Sequence, residues 1–378
     1  MKIALITTIN RGGTMQLTVE LYQRLINLGH EVHCYIPEKA EYAANSIDSE
    51  HVFRFSRNCY NNKINAVISE LMIVNDDVKT IAAQILEGRY DCVLTTDTAL
   101  TSIKIIKYLG ILDANLYRVI SVHDVLPHPV NKLSLRECFF TFANKRFKKK
   151  CLESANMLLF FSNYSNELFD EIFPGVKKQS FVLPLGAHIP PVDEEKPLEL
   201  SENCEPYFLF FGRIEKYKGL RILLKAFNEY EDNDKRLVIA GNGRFTDEEL
   251  QLANNQHTTT INRFINDGEM LWLIKNAKAV VLPYIEASQS GVIPIAYSYK
   301  VPVITSNVIG LTQFVNNNDT GLICNCHEEY ISAFQKLSND EVRIEMSEKA
   351  GIYYLNNLDW EGNLIRLIER LQELRGEI

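Results

Sequence analysis

The sequence has no run of eighteen apolar residues, so it lacks the stretch of helix that a bilayer span requires. It also lacks a positive balance. Forty lysines and arginines face 48 aspartates and glutamates, a net charge of −8. A general nucleic-acid binder needs a basic field to neutralise phosphates, so that class is excluded. Eight cysteines (Cys34, Cys59, Cys92, Cys138, Cys151, Cys204, Cys324 and Cys326) are scattered without a C-x-x-C pair. Free thiols of a reducing compartment are therefore expected, not a disulfide framework. Cys324-Asn325-Cys326-His327 has three ligating side chains but no distant partner pair, so no metal site is expected. A dinucleotide fingerprint is missing as well. Gly241-Asn242-Gly243 follows a strand pattern, but Thr246 stands where the third glycine of G-x-G-x-x-G belongs, and the first half has no such motif. That argues against an NAD(P) oxidoreductase.

What is present is α/β alternation, twice. A chain of 378 residues is long for one core and natural for two domains. The N-terminal apolar run, Lys2–Thr8, reaches Asn10-Arg11 and reads as a first strand, not a secretory leader, so a cytoplasmic protein is expected. A loop with Gly12-Gly13, a helix over Gln16–Leu28 capped by Gly29, and a strand His30–Ile36 follow. Further strands are expected at His51–Phe55, Cys92–Thr95, Arg118–Val122 and Met157–Phe161. Residues 189–206 carry four prolines and a run of acids, the composition of a linker. The second half gives strands at Tyr207–Phe211, Arg236–Ala240, Thr258–Ile261, Ala279–Pro283 and Val301–Thr305. The expectation is two doubly wound Rossmann-like domains, 1–188 and 207–359, facing a central cleft, with a final helix in 360–378 packing back on the first.

The chemistry concentrates in Phe211–Gly219, reading F-G-R-I-E-K-Y-K-G. It sets Arg213 and Lys218 in a glycine-bounded loop between a buried-strand pattern and an amphipathic helix. Two cations there suit a doubly anionic group, and a diphosphate fits best. Open parallel sheets bind ligands beyond the carboxyl ends of their strands, where Gly212–Gly219, Gly241–Phe245 and Tyr284–Gly291 all fall, so these loops are expected to converge. In Tyr284–Pro294, Ser288 or Ser290 is expected to cap a helix, leaving the amides of Gln289, Ser290, Gly291 and Val292 toward an anion.

These motifs carry a resemblance. Gly212-Arg213-Ile214-Glu215-Lys216-Tyr217-Lys218-Gly219, Pro283-Tyr284 with Ser288-Gln289-Ser290-Gly291, Val301-Pro302-Val303-Ile304 and Asn318-Asp319-Thr320-Gly321 occur in the order seen in family 4 glycosyltransferases of the GT-B fold. The chain resembles that family over essentially its whole length; Gly12-Gly13 and Gly29-His30-Glu31-Val32 also fit. The resemblance implies transfer of a sugar from a nucleotide-diphosphate donor with retention of configuration, without a metal or other cofactor. It implies that Arg213 and Lys218 neutralise the leaving diphosphate. The converging loops put Gly212, Gly241, Asn242 and Gly243 near the donor, and Gly12-Gly13 lets backbone approach the donor phosphate or the acceptor. The resemblance places His123 beside the reacting sugar and the base against Arg263, Phe264 and Ile265. The acceptor implied is a glycan or lipid-linked hydroxyl, as in surface-polysaccharide synthesis.

The sequence departs from the family at one point. Many members carry Glu-x7-Glu, the first near the donor sugar and the second on the ribose. Here Ala287 and Ile295 occupy those positions; Glu286, one residue early, is the remaining candidate for the sugar contact. That keeps one rival in play, a sugar-nucleotide-binding subunit without catalysis; a GT-B epimerase or phosphorylase would share the fold but not this motif set. Elsewhere, Lys132–Lys150 holds seven cations interleaved with Phe139, Phe140, Phe142 and Phe147, and reads as a basic amphipathic surface for anionic lipid on the inner leaflet. Asp232-Asn233-Asp234 and Asn75-Asp76-Asp77 read as solvated turns, not metal motifs.

Overall fold

The computed structural model describes residues 1–10, 13–40, 46–55, 75–122, 148–176, 178–202, 204–287 and 289–376. The chain forms two compact units, Met1–Leu183 with Glu361–Ile378, and Pro184–Trp360.

The first unit begins β1 (Lys2–Ile6), α1 (Gly13–Asn27), β2 (Glu31–Pro37) and β3 (Val52–Phe55). It continues α2 (Asp76–Gly88), β4 (Cys92–Thr95), α3 (Leu100–Leu112), β5 (Tyr117–Val122), β6 (Met157–Phe160), α4 (Asn163–Ile172) and β7 (Gln179–Val182). The strands lie in the order β3-β2-β1-β4-β5-β6-β7, every pair parallel. Parallel strands covered on both faces read as continuous apolar runs, and β4, β5 and β6 are buried at every position. Gly29 ends α1 as expected: at φ +83° its N–H reaches Ile26 O at 2.9 Å, and His30 N–H reaches Leu25 O at 3.0 Å. This is the paired return of a Schellman cap. The helix begins at Gly13, three residues before the expected Gln16.

The second unit runs β8 (Tyr207–Phe211), α5 (Leu220–Glu229), β9 (Leu237–Ala240), α6 (Asp247–Ala253), β10 (Thr258–Ile261), α7 (Asp267–Lys275) and β11 (Ala277–Leu282). Then come α8 (Val292–Ser298), β12 (Val303–Ser306), α9 (Ile309–Thr312), β13 (Gly321–Cys324), α10 (His327–Ser338) and α11 (Asp340–Tyr353). Its sheet order is β10-β9-β8-β11-β12-β13, again parallel throughout. One core lies on each face of this sheet. Leu223, Leu224 and Phe227 of α5 pack under one face; Leu271, Ile274, Ile293 and Tyr297 of α7 and α8 pack on the other.

The acid-rich stretch before β8 is bound along this second unit. Lys275 Nζ meets Glu194 at 2.8 Å, Asn266 Nδ2 donates to Glu195 at 3.0 Å, and Glu195 N–H donates to Gly268 O at 3.1 Å. After α11, a turn of π-helix at Tyr354–Leu358 leads to α12 (Trp360–Arg375). In the first unit, Arg375 of α12 pairs with Asp91 at 2.9 Å, and Arg370 donates to Gln179 at 3.0 Å.

Candidate functional site

In the second sheet the chain starts at β8, winds outward through β9 and β10, then returns to lay β11 on the other side of β8. The order therefore reverses between β8 and β11. In open parallel sheets nucleotides bind beyond the carboxyl ends of the strands at such a reversal. The loop after β8 carries Arg213 and Lys218; the loop after β11 carries Tyr284 and Glu286.

Backbone contacts join three loops. Gly212 N–H donates to Ala240 O at 3.0 Å, Ile214 N–H to Asn242 O at 3.0 Å, and Ile285 N–H to Tyr217 O at 2.7 Å. Two glycines are required by this closeness. A Cβ on Gly219, at φ +67°, would stand 1.9 Å from Pro283 O; one on Gly241, at φ +148°, would stand 2.0 Å from Gly212 O. The expected convergence of Gly212–Gly219, Gly241–Gly243 and the start of the Tyr284 loop is thus present. Asn242 is exposed at its edge.

The two cations differ. Arg213 reaches into solvent with its side chain 73% exposed and pairs with Glu215 at 3.0 Å. Lys218 is half-buried. Its Nζ sits 3.8 Å from the centroid of the Tyr284 ring and 5.3 Å from that of Tyr217. Burial pushes its ammonium down to about 8; the Arg213 charge adds to this and Glu215 opposes it.

Beyond Tyr284, Ile285 and Glu286 are exposed, Gln289 is half-buried and Ser290 is buried; Ser288 lies outside the described residues. The expected serine cap is corrected here. Helix α8 is only seven residues long, and its N-cap is Gly291, with no side-chain cap. Ser290 Oγ accepts instead from Val292 N–H at 3.3 Å. Ile295, at the position where relatives of the resembled family hold ribose, is 6% exposed and sits in the core.

After β10, Arg263 works as a brace. Its Nε and Nη2 donate to Glu199 at 2.8 Å each, and its Nη1 and Nη2 to Glu269 at 2.7 and 2.6 Å. Nη1 also reaches Phe264 O at 3.1 Å. All five guanidinium N–H groups are thereby engaged. Ile265 is buried in the core at 9% exposure, whereas Phe264 is 78% exposed. Of the three residues expected near a base, the Phe264 ring is the open surface.

In the first unit, Gly13 is the first residue of α1, and a Cβ there would meet nothing within 4 Å. Its own packing does not demand glycine. Gly12 and His123 lie outside the described residues, as does most of Lys132–Lys150; of that stretch, Lys149 Nζ donates to Pro174 O at 2.6 Å. Sequence reading missed Asp97. It lies just past β4, 1% exposed, and accepts from Thr7 Oγ1 at 3.0 Å, Thr8 N–H at 2.7 Å and Ala99 N–H at 2.7 Å. The signal was its place beside β1, where the first sheet's order reverses.

Other candidates are held elsewhere. Asp232 accepts from Tyr230 OH at 2.6 Å and from Asp234 N–H at 2.9 Å, at the amino end of β9. His327 pairs with Glu229 at 2.8 Å, and burial pushes the Cys324 thiol up to about 12. Among the described residues no group of three or more His, Cys, Asp or Glu is placed to hold a metal ion. A cavity of about 490 Å³ is lined by Ile222, Ser306, Cys324, Cys326, His327 and Tyr330 among others; Arg213, Lys218 and Glu286 do not line it.

Comparison with known proteins bears on this geometry. Residues 205–340 match the family described as Glycosyl transferases group 1. D-inositol 3-phosphate glycosyltransferase of Corynebacterium aurimucosum is 26% identical over 164 residues, 40% of this chain and 39% of that protein, so the match spans well under half of that relative. Spore coat protein SA of Bacillus subtilis is 23% identical over 98% of this chain and 100% of that one. The solved structure of Anabaena HepE in complex with UDP matches with a TM-score of 0.75 at 14% identity, covering 99% of this chain and 100% of that chain. HepE has also been solved in complex with UDP-glucose, a match with a TM-score of 0.72. At such identities the likeness shows the fold: two parallel-sheet Rossmann-like α/β domains of the GT-B type.

Proposed function

We propose that this protein is a glycosyltransferase that moves a sugar from a nucleotide-diphosphate donor to a hydroxyl of a glycan or lipid-linked acceptor, with retention of configuration. The observation that carries this reading is the pairing of Arg213 and Lys218 where the second sheet reverses its order. The group 1 match over residues 205–340 supports it, as do the UDP and UDP-glucose complexes of HepE, a neighbour in fold. In this reading the bond from the sugar's anomeric carbon to the diphosphate breaks, and the acceptor oxygen bonds that carbon from the same face. The hydroxyl proton passes to the leaving diphosphate. Negative charge grows on the leaving group in the transition state, so preorganised cations act most strongly there. Arg213 and Lys218 supply that counter-charge without a metal. Phe264 offers a face for the base and Glu286 an exposed carboxylate for the donor sugar, with Gly13, Gln289 and the Gly241–Gly243 turn along the donor. Gly12, His123 and Ser288 complete the proposed set from the resemblance.

Thermal-shift measurement with UDP, GDP, dTDP and ADP sugars tests the reading: one base series should raise the melting temperature. No stabilisation by any of them would overturn it. The buried Ile295 at the usual ribose position favours one second reading, a sugar-nucleotide-binding subunit without turnover; slow hydrolysis of the stabilising donor without acceptor would rule that out. The role proposed is surface-polysaccharide synthesis in the cytoplasm, with 132–150 against the anionic inner leaflet. Sedimentation with liposomes tests that placement. Salt-sensitive binding only with acidic lipid is expected, and equal recovery with neutral vesicles would contradict it.

A further inference from the structure

Among the described residues, Lys218 has no carboxylate at ion-pair distance. Glu215, three residues away, is engaged by Arg213 at 3.0 Å. Lys218 has aromatic faces instead. Its Nζ stands 3.8 Å from the Tyr284 ring centroid, well inside the range of about 6 Å over which a ring face attracts a cation. The Tyr217 and Tyr284 rings meet edge-on, centroids 6.4 Å apart at 74°, so two aromatic walls flank the ammonium.

Tyr284 is itself held. It is 2% exposed, its carbonyl accepts from Ser306 Oγ at 2.5 Å, and the next N–H, of Ile285, is bound to Tyr217 O. We propose that Tyr284 is a positioning residue whose ring face holds the Lys218 ammonium in place, charged but not neutralised, so that an incoming diphosphate is the first anion it meets. A carboxylate could fix the lysine equally well, but it would compete with the diphosphate for the same charge. A ring carries no net charge, so it holds the cation without competing. The geometry stands alone; the purpose rests on the donor-binding reading above.

The test separates the two. Lys218 is followed by NMR of ¹³C-dimethylated protein without ligand, its signal assigned from Lys218→Arg. Tyr284→Phe keeps the ring and removes only the hydroxyl, whose neighbour is Ser290. It should titrate like the native protein. Tyr284→Leu should weaken proton affinity at Lys218 by about threefold or more. Should the leucine variant not fold, successively fluorinated phenylalanines at 284 drain charge from the ring at nearly constant shape, and the titration should fall step by step. A Lys218 titration indifferent to ring and fluorination overturns the proposal. Nucleoside diphosphate titration of the same samples gives the second readout. If the Lys218 titration shifts as expected but no nucleotide binds even the native protein, the ring contact stands and the donor-binding reading fails.

Discussion

Lys218 is the side chain on which the pH behaviour of the site should turn. Burial and the nearby Arg213 both favour its neutral form, so the proton leaves near pH 8, well below the usual lysine range. The charge a leaving diphosphate needs is therefore present below about 8 and lost above it. The profile of kcat/KM for the donor, which reports the free enzyme, should fall on the alkaline side with a midpoint near that value. Lys218→Arg should carry the falling limb beyond pH 10, because a guanidinium does not deprotonate there. Lys218→Ala should lower kcat by roughly 10²–10³, the scale of a lost donor to a developing anion. A falling limb that survives unchanged in the arginine variant would assign it to another group.

At the scale of elements, what could be read in advance divides along physical lines. Strand β8, Tyr-Phe-Leu-Phe-Phe, was legible because a strand covered on both faces must be apolar throughout. Strand β7 was not. It is an edge strand with Gln179 and Ser180 exposed, so no apolar run marks it. Strand β13 begins at Gly321, a residue type depleted in strands, and so did not stand out. The Gly219 punctuation was legible, but its cause was not: the carbonyl that excludes a Cβ belongs to Pro283, brought there only by the pairing of β8 with β11. The same holds for Arg263. The family resemblance placed it near a base, and only the fold shows that Glu199, 64 residues earlier in the chain, closes on it from the strap before β8. Tyr284 was noticed as part of a motif, but that its ring lies beneath Lys218 follows only from the folded sheet.

Over the whole molecule, one plan is used twice. Both sheets start in the middle, wind one way for two strands, then reverse. That much followed from the alternation of strand and helix patterns on either side of a proline-rich stretch, and structures matching over nearly the full chain share the fold. What alternation could not give was the use of each reversal point. In the first unit it is closed by a buried aspartate gathering threonine and backbone donors. In the second it is lined by two cations and a ring. The central claim is that these cations grip a diphosphate. Calorimetry comparing a nucleoside diphosphate of the stabilising base with its bare nucleoside tests it most directly. The native protein should bind the diphosphate at least about tenfold more tightly, the least that charge-assisted hydrogen bonds contribute. Arg213→Ala/Lys218→Ala, with its thermal melt intact, should bind the two alike. A doubly substituted protein that keeps the native preference for the diphosphate would contradict the account.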